Sequence, residues 1–329
     1  MKKLVKIIAV LTAVVFVLVG CSTKNASENK NKKINIVTSL NFYKEVAEKI
    51  AKDKAEVSSI ISTQSVDPHD FEPTAKDAEK VSKADVVVYN GGGYDSWFEK
   101  MTTNAKNAKK IDAGKLLGLK DGDNEHIWYN YTVMEKVADE VAKILSEKDN
   151  ANKEFYEKNR DNYKKELQKI GDKINSLKEK AKGKYVLTTE PVFDYAVENL
   201  GLMQTAEVKK LAQATEEGND PAPKDLQEIN NDIKTKKIML VINNTQTTNK
   251  TVETLLKTAE SVKTPILNVT ETQPEGKTYI EWMISQYEKL EEILNGGNGE
   301  IAHKEEGAKE HHHDHDHDHD HDHKKEEKH

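Results

Sequence analysis

The chain of 329 residues has one cysteine, Cys21, so it cannot form an intramolecular disulfide or a zinc site built from several cysteines. It also lacks an excess of positive charge: its formal net charge is −7, which argues against a nucleic-acid partner. Hydrophobic residues make up only 36% of the sequence, and much of this deficit lies in residues 303–329, where Ala308 is the only apolar residue. The remaining chain is long enough to bury a substantial core, in two ordinary domains or one two-lobed body.

The amino terminus has an apolar run that is too short to cross a membrane. Residues Ile7–Val19 are apolar apart from Thr12, but as a helix they reach only about 20 Å, whereas a hydrocarbon core is ~30 Å thick. Three lysines precede the run, and positive charge followed by a short apolar stretch is typical of a secretory signal. We therefore assign residues 1–20 to a signal peptide and exclude them from the fold.

The predicted signal peptide ends in a four-residue motif that indicates lipidation. Residues Leu18–Cys21 (Leu-Val-Gly-Cys) resemble the bacterial lipobox, in which the cysteine is lipidated and becomes the first residue of the mature protein. Residues 21–33 are mostly polar and suit a flexible, lipid-anchored tether. This predicts an extracytoplasmic protein attached to the cell membrane through Cys21. The alternative is an ordinary signal peptide with an incidental cysteine.

Short apolar runs alternate with amphipathic stretches from Lys33 to about Asn295, which is the pattern of βαβ units around a mostly parallel sheet. The runs form two sets of predicted strands: Ile34–Thr38, Val57–Ile61, Asp85–Tyr89 and Lys109–Asp112, then Tyr185–Thr188, Met203–Ala206, Lys237–Ile242 and Pro265–Val269. Helical patterns lie between them, and a last one covers Tyr279–Leu294. The sequence therefore predicts an α/β fold.

Between the two sets of strands lies one long helical pattern, from about Lys148 to Lys182. Eight mostly apolar positions in it step by three or four residues, which places them on one face of a helix: Phe155, Asn159, Tyr163, Leu167, Ile170, Ile174, Leu177 and Ala181. Gly183 follows as a plausible stop. Such a helix would form a stiff spine between two halves and leave a cleft between them, where the carboxyl ends of both sheets converge. A coiled-coil oligomer is the alternative, although the pattern spans fewer than four heptads.

Only two histidines, His69 and His126, lie outside residues 303–329. His69 stands between two prolines that prevent helix or ladder hydrogen bonding, and His126 stands in a polar loop just before Trp128. A single histidine in a loop is more often a solvated surface residue than a metal ligand. Two isolated histidines in rigid loops flanked by aromatic residues leave both interpretations open.

Four motifs, two of which contain these histidines, point to a known family. They are Asp67–Pro73 (DPHDFEP), Ala84–Gly91 (ADVVVYNG) with Trp97 after it, His126–Trp128 (HIW) and Thr188–Tyr195 (TTEPVFDY). Together they resemble the metal-binding lipoproteins that serve zinc and manganese ABC importers, the cluster A-I solute-binding proteins. The resemblance covers residues 33–295, and its first motif is highly specific.

The resemblance implies two lobes, each with a four-stranded, mostly parallel sheet flanked by helices, joined by one long backbone helix. This agrees with the spine predicted from the periodicity. The implied boundaries are an N-terminal lobe at 34–147, the backbone helix at 148–182 and a C-terminal lobe at 183–295. Residues 296–329 then form a disordered tail rich in histidine and aspartate.

The resemblance also implies a metal site, with His69 and His126 as ligands from the first lobe and Glu190 as a ligand from the second. Two neutral imidazoles and one carboxylate suit zinc and also accept manganese or ferrous iron. A dication would neutralise the carboxylate, which would otherwise be costly to bury. The alternative for Glu190 is a carboxylate at a helix amino terminus, because Pro191 is a good first helical residue.

The sequence departs from the family in two places. The family pattern leads us to expect a fourth ligand, usually Asp, in the loop after the predicted strand Lys237–Ile242, but residues 243–248 (NNTQTT) contain no carboxylate. An amide oxygen, a bidentate Glu190 or water would then take the fourth position. Glu125 also replaces a proline that members often have. Both differences affect the expected geometry and metal preference.

The tail predicts a second way of binding metal. Alternating aspartates keep its potential negative, and imidazoles with a pKa near 6.5 are mostly neutral above pH 7 and free to bind cations. We expect a disordered, low-affinity collector that raises the metal concentration near the cleft and favours zinc. The alternatives are a solvated polyampholyte and an engineered tag. The proposed collecting residues are His311, His312, His313, His315, His317, His319, His321 and His323.

The leading functional hypothesis is a monomeric binding protein, not an enzyme, that captures zinc, or else manganese or ferrous iron, and delivers it to the permease of an ABC importer. A metallohydrolase is the second hypothesis, because catalytic zinc sites also use two histidines and a carboxylate. The chain has no HExxH motif, and only Glu72, Asp70 and Glu125 could serve as a general base. A surface adhesion protein is the third, but the sequence shows no repeats that would support it.

Overall fold

Strands and helices alternate along the chain as the apolar pattern predicts. The computed structural model describes residues 33–299 except 65, 70, 121 and 248, so the predictions for Cys21, for the tether before residue 33 and for the tail histidines fall outside the described residues. The strands are β1 Ile34–Thr38, β2 Ala55–Ser59, β3 Val86–Tyr89, β4 Lys109–Asp112, β5 Tyr185–Thr188, β6 Ile238–Asn244 and β7 Ile266–Val269. The helices are α1 Asn41–Ala51, α2 Ala75–Ser82, α3 Ser96–Thr102, α4 Ala113–Leu117, α5 Thr132–Lys148, α6 Lys153–Ala181, α7 Asp194–Leu200, α8 Ala206–Glu216, α9 Pro223–Lys234, α10 Lys250–Ser261 and α11 Tyr279–Leu294.

The first sheet has four parallel strands in the order β2-β1-β3-β4. Ile36 on β1 pairs with Val57 on one side and with Val86 on the other. Every residue of β3 is buried, as expected for a parallel strand with a continuous apolar sequence that is covered on both faces. The α/β prediction is confirmed for this half, and all four predicted strands are present.

The second sheet has three parallel strands in the order β5-β6-β7. The resemblance implied a fourth strand, predicted at Met203–Ala206, and this position contains only an isolated parallel bridge between Tyr185 and Met203. The strand stops there because the side chain of Thr205 accepts a hydrogen bond from the backbone N–H of Val208 and thereby caps α8. The chain therefore turns into a helix where a strand was predicted.

The predicted spine is one continuous helix. Helix α6 has 29 residues and is about 44 Å long at 1.5 Å per residue. It ends at Ala181, and Gly183 follows with a φ of +76°, a conformation that glycine adopts without steric cost. The helix packs against α1 and α5 of the first half and against α7 and α11 of the second half. Its apolar face is therefore buried within the molecule.

Two hydrophobic clusters stabilise the fold. The larger one runs from the first sheet through the buried face of α6 to β5, β6 and α11, so it joins both halves. The smaller one lies between the second sheet and helices α8, α9 and α10. Residues 33–299 contain both clusters and both sheets, so we expect this segment to fold on its own. Among the described helices, none is both long and apolar enough to span a membrane.

The spine should contribute strongly to stability through its central leucine. Leu167 is fully buried at the middle of α6, so Leu167→Ala leaves a cavity and is expected to lower the free energy of unfolding by about 2–5 kcal/mol. Urea denaturation of the metal-free protein measures this loss. Lys169→Ala, at an exposed position on the same helix, is the matched control and should change stability by less than about 0.5 kcal/mol. Equal effects of the two substitutions would contradict the packing of α6.

Candidate metal site between the two halves

His69 lies in the irregular segment between β2 and α2, at the edge of the site. Two hydrogen bonds fix its backbone: the N–H of His69 donates to Asp67 Oδ1 at 2.8 Å, and Trp97 Nε1 donates to the carbonyl of Pro68 at 3.0 Å. The imidazole packs edge-on against the ring of Tyr94, with 4.7 Å between ring centroids. Its side chain is 37% exposed. Local sequence thus holds His69 rigidly where solvent can still reach it.

His126 is buried deeper in the site and is only 1% exposed. Asn124 Oδ1 lies 2.9 Å from the backbone nitrogen of His126 and 2.8 Å from its Nδ1. An amide oxygen only accepts, so we infer that Nδ1 carries the proton and that Nε2 has a free lone pair. Burial lowers the pKa of His126 to about 4, which keeps the ring neutral near pH 7. A neutral imidazole with an oriented Nε2 is what a metal ligand requires.

Glu271, two residues beyond β7, completes the group and comes from the second half. Its Oε2 lies 3.5 Å from Nε2 of His69 and 4.0 Å from Nε2 of His126. One ligand atom from each of the three residues lies within 4.8 Å of the other two. Tyr94 Oη also donates to Glu271 Oε2 at 3.2 Å. Two imidazole nitrogens and a carboxylate from opposite halves therefore meet at one point.

The charges of His69 and Glu271 support one another. Burial alone would disfavour the imidazolium, but the adjacent carboxylate of Glu271 raises the pKa of His69 to about 9. Burial likewise disfavours the carboxylate, but its hydrogen bond with the charged His69 holds the pKa of Glu271 below its usual range. In the metal-free protein this pair is therefore an ion pair at neutral pH, and a cation would take the place of the imidazolium proton.

Glu190, the predicted ligand from the second half, is buried but is not among the described residues whose ligand atoms meet at this point. It precedes the 3₁₀ turn Pro191–Phe193, yet its side chain makes no capping hydrogen bond, which argues against the alternative role at a helix terminus. Instead Asn244 Nδ2 donates both to Glu190 Oε2 and, at 2.6 Å, to Glu271 Oε1. Burial raises the pKa of Glu190 to about 7. One amide group thus separates Glu190 from Glu271.

Residues 243–248 contain no carboxylate, and the carboxylate that faces the two histidines, Glu271, follows β7, the next strand along the sheet. Asn244 Nδ2 donates a hydrogen bond to the Glu271 carboxylate, and Gln246 Oε1 accepts one from the backbone N–H of Glu271, so the two side chains orient its carboxylate and backbone. The sequence did contain the necessary signal. Glu271 follows the predicted strand Pro265–Val269, and ligands collect outside the carboxyl ends of parallel strands.

A second acidic group borders His126 on its other side. One ligand atom from each of Glu125, His126 and Glu216 lies within 4.8 Å of the other two, and Glu216 Oε1 lies 3.6 Å from Nδ1 of His126. Burial, and then the nearby charge of Glu125, raises the pKa of Glu216 to about 8. Sequence reasoning missed Glu216, which ends α8 and has no motif around it. The two histidines are therefore surrounded by four carboxyl groups: Glu125, Glu190, Glu216 and Glu271.

Two α/β halves on one long helix, with histidines from one half facing a carboxylate from the other, define a two-lobed solute-binding protein with a metal-type site between its lobes. The chain belongs to the family described as "Zinc-uptake complex component A periplasmic" (ZnuA), whose model matches residues 36–293. Members of this family are substrate-binding proteins of metal ABC transporters and not enzymes. The predictions of family, fold class and lack of enzymatic activity are confirmed.

Individual relatives agree on this class but differ in their metal. The chain is 32% identical over 217 residues to the manganese ABC transporter substrate-binding lipoprotein PsaA of Streptococcus pneumoniae. The matched region covers 59% of this chain and 68% of PsaA. It is 35% identical over 195 residues to a metal ABC transporter substrate-binding lipoprotein of Lactococcus lactis, covering 55% of this chain and 59% of that protein. The Zn(II)-bound ZnuA-like domain of Streptococcus pneumoniae AdcA superposes with a TM-score of 0.64 at 26% identity, over 80% of this chain and 100% of that domain.

The His69–Glu271 ion pair predicts how the stability of the metal-free protein depends on pH. Because the pKa of His69 rises from 6.5 to about 9 on folding, its contribution is complete below pH 6.5 and is lost as the pH rises through about 9. His69→Gln lacks this titration. The difference in unfolding free energy between wild type and His69→Gln, measured in urea after metal removal, should therefore shrink over that range. A difference that stays constant would contradict the pairing.

Proposed function

We propose that this protein captures one divalent transition metal ion, zinc in the first place, between its two halves and delivers it to the permease of an ABC importer. The observation that supports this most directly is the meeting of His69 Nε2, His126 Nε2 and the Glu271 carboxylate, contributed by opposite halves. A cation bound there would link the halves. A partner that shifts the ligand-bearing segments apart would release it.

The donor set favours zinc without excluding manganese. Imidazole nitrogen and carboxylate oxygen are both common zinc ligands, and the two histidines favour zinc over the harder cations that prefer oxygen alone. The named relatives divide in the same way, since PsaA is named for manganese and the AdcA domain was solved with zinc. The histidine-rich sequence of residues 303–329 adds further imidazoles and tips our proposal toward zinc. Manganese or ferrous iron is the second candidate.

Glu190 is our proposed fourth ligand. It is buried beside the site, and the same amide of Asn244 binds it and Glu271. Two carboxylates that share one neutral donor leave negative charge that a dication can neutralise better. We therefore propose that Glu190 turns from Asn244 to the cation when metal binds, which gives a set of two histidines and two carboxylates.

The membrane anchor and the tail complete the proposal. Lipidation of Cys21 would attach the protein outside the cytoplasmic membrane through the tether 21–33, and the relatives PsaA and that of Lactococcus lactis are themselves named lipoproteins. The tail histidines 311–323 would collect metal at many weak sites and raise its concentration near the cleft. We propose that the protein acts in this way as a monomer.

The ligand assignment is tested by substitution within residues 33–299, which omit the tail. His69→Ala and Glu271→Gln each remove a proposed ligand and should weaken zinc binding by more than about 100-fold, beyond the 10–100-fold typical of residues that only orient ligands. Isothermal titration with a competing chelator measures the affinity. Glu72→Gln, at an exposed carboxylate three residues after His69, is the matched control and should bind zinc as the parent does.

The same titration tests the fourth ligand. We expect Glu190→Gln to lose as much zinc affinity as Glu271→Gln does. An affinity within a few-fold of the parent would mean that Glu190 is only a hydrogen-bond partner of Asn244 and not a ligand. Tight zinc binding that persists in His69→Ala would refute the site as a whole. Repeating the titration with manganese ranks the two metals.

The role of the tail is tested separately by equilibrium dialysis. Deleting residues 303–329 should lower the number of zinc ions bound per chain at saturating zinc and leave one tight site, because the deleted segment contains ten of the twelve histidines. The control is the tail-containing chain with His69→Ala, which should lose the tight site and keep the weak ones. Equal zinc stoichiometry with and without the tail would refute the collector.

A further inference from the structure

Gln246, in the loop after β6, organises the backbone around Glu271. Its Oε1 accepts hydrogen bonds from the backbone N–H of Glu271 at 2.8 Å and from the backbone N–H of Thr272 at 3.0 Å. It also lies 3.1 Å from Thr272 Oγ1, whose single proton is shared between this oxygen and the carbonyl of Gln64. Thr272 is fully buried and Glu271 nearly so, so their N–H groups need an acceptor within the protein. This one amide oxygen therefore fixes the segment from which the Glu271 carboxylate projects.

The other end of the same amide reaches the first half. Gln246 Nε2 donates to the carbonyl of Gln64 at 3.2 Å, and Thr272 Oγ1 lies 3.2 Å from the same carbonyl. Gln64 lies five residues before His69, in the segment that presents this histidine. A single side chain of the second half is thus bonded both to the Glu271 segment and to the His69 segment.

We propose that Gln246 is a positioning residue that couples the placement of Glu271 to the contact between the two halves and so slows metal release. This inference rests on the proposed function, because it takes Glu271 and His69 as ligands. An amide suits both tasks because it accepts through its oxygen and donates through its nitrogen, whereas a carboxylate accepts but does not donate and an aliphatic side chain does neither. Residues 243–248 (NNTQTT) contain no carboxylate ligand themselves. They contain Gln246, which positions the carboxylate of Glu271.

The inference predicts an effect on release more than on capture. Encounter with the cation depends on access to the open side at His69, which Gln246 does not alter. The lifetime of the complex depends on how firmly the ligands are held and on the contact between the halves, so weakening either should act on the dissociation rate. Residues that orient metal ligands typically contribute 10–100-fold, and we expect zinc to dissociate about 10–100-fold faster from Gln246→Ala.

Gln246→Glu separates the coupling from simple structural support. It keeps an oxygen for the three donors around Glu271 but loses the donor to Gln64. Its added negative charge would by itself attract a dication and slow release, so faster release from Gln246→Glu can only reflect the lost link between the halves. Thr272→Val removes the second bond to the Gln64 carbonyl and should act in the same direction with a smaller factor.

The experiment loads residues 33–299 with zinc and follows release after adding excess chelator in a stopped-flow instrument, beside the melting temperature of each metal-free variant. Gln204→Ala is the matched control, because Gln204 is also half-buried in the second half but bonds only to Thr188 and Asp194. Cobalt absorption spectra of each variant report the ligand geometry directly. We expect faster release and altered cobalt bands for the Gln246 variants, and parental behaviour with Gln204→Ala.

Parental release from both Gln246→Ala and Thr272→Val, or an equal acceleration in Gln204→Ala, would overturn the coupling role. If Gln246→Ala fails to fold, Thr272→Val decides the question. Glu271→Gln separates this inference from the proposed function: if the parent binds zinc tightly, Glu271→Gln loses it and the Gln246 variants match the parent, only the coupling role is wrong. A parent without tight zinc binding overturns both.

Discussion

The buried carboxylate of Glu271 is the constraint on which the site depends. A carboxylate this deeply buried is tolerated only if positive charge or hydrogen-bond donors compensate it. Here Tyr94 donates to Oε2, the charged imidazole of His69 lies 3.5 Å from the same oxygen, and Asn244 donates to Oε1. Tyr94 and both histidines belong to the first half and Glu271 to the second. The charge of the Glu271 carboxylate is therefore compensated in this way only while the two halves face each other. A metal ion would compensate it more fully.

Helix α6 makes this meeting possible by fixing the two sheets on one rigid element. It packs against helices of both halves, and the larger hydrophobic cluster continues across it. Separating the halves would expose part of that shared core, so large hinge motions are disfavoured. Changes on binding are then expected to be small and local, at segments such as the one bearing His69 and at side chains such as Glu190.

The elements with the strongest periodicity were predicted well, and the two histidines that the sequence singled out lie together in the structure. Helix α6 and most strands follow from apolar spacing, and His69 and His126 stood out because histidine is otherwise absent from the body of the chain. Glutamate is abundant, so Glu271 was marked only by its place after a predicted strand, and Glu216 had no distinctive neighbourhood at all. Their roles depend on which strand and helix ends come together, and that is decided by sheet order.

The unequal depth of the two histidines has a kinetic consequence. His126 and Glu271 are almost inaccessible, whereas the side chain of His69 is 37% exposed, so His69 is the one of these three groups that solvent reaches. A hydrated ion arriving there would exchange its first water for His69 and shed the others as it moves inward. Dissociation of the ion would follow the reverse order, and His69 would be the last ligand to dissociate from it. A membrane partner that receives the ion would therefore have to dock over the face where His69 emerges.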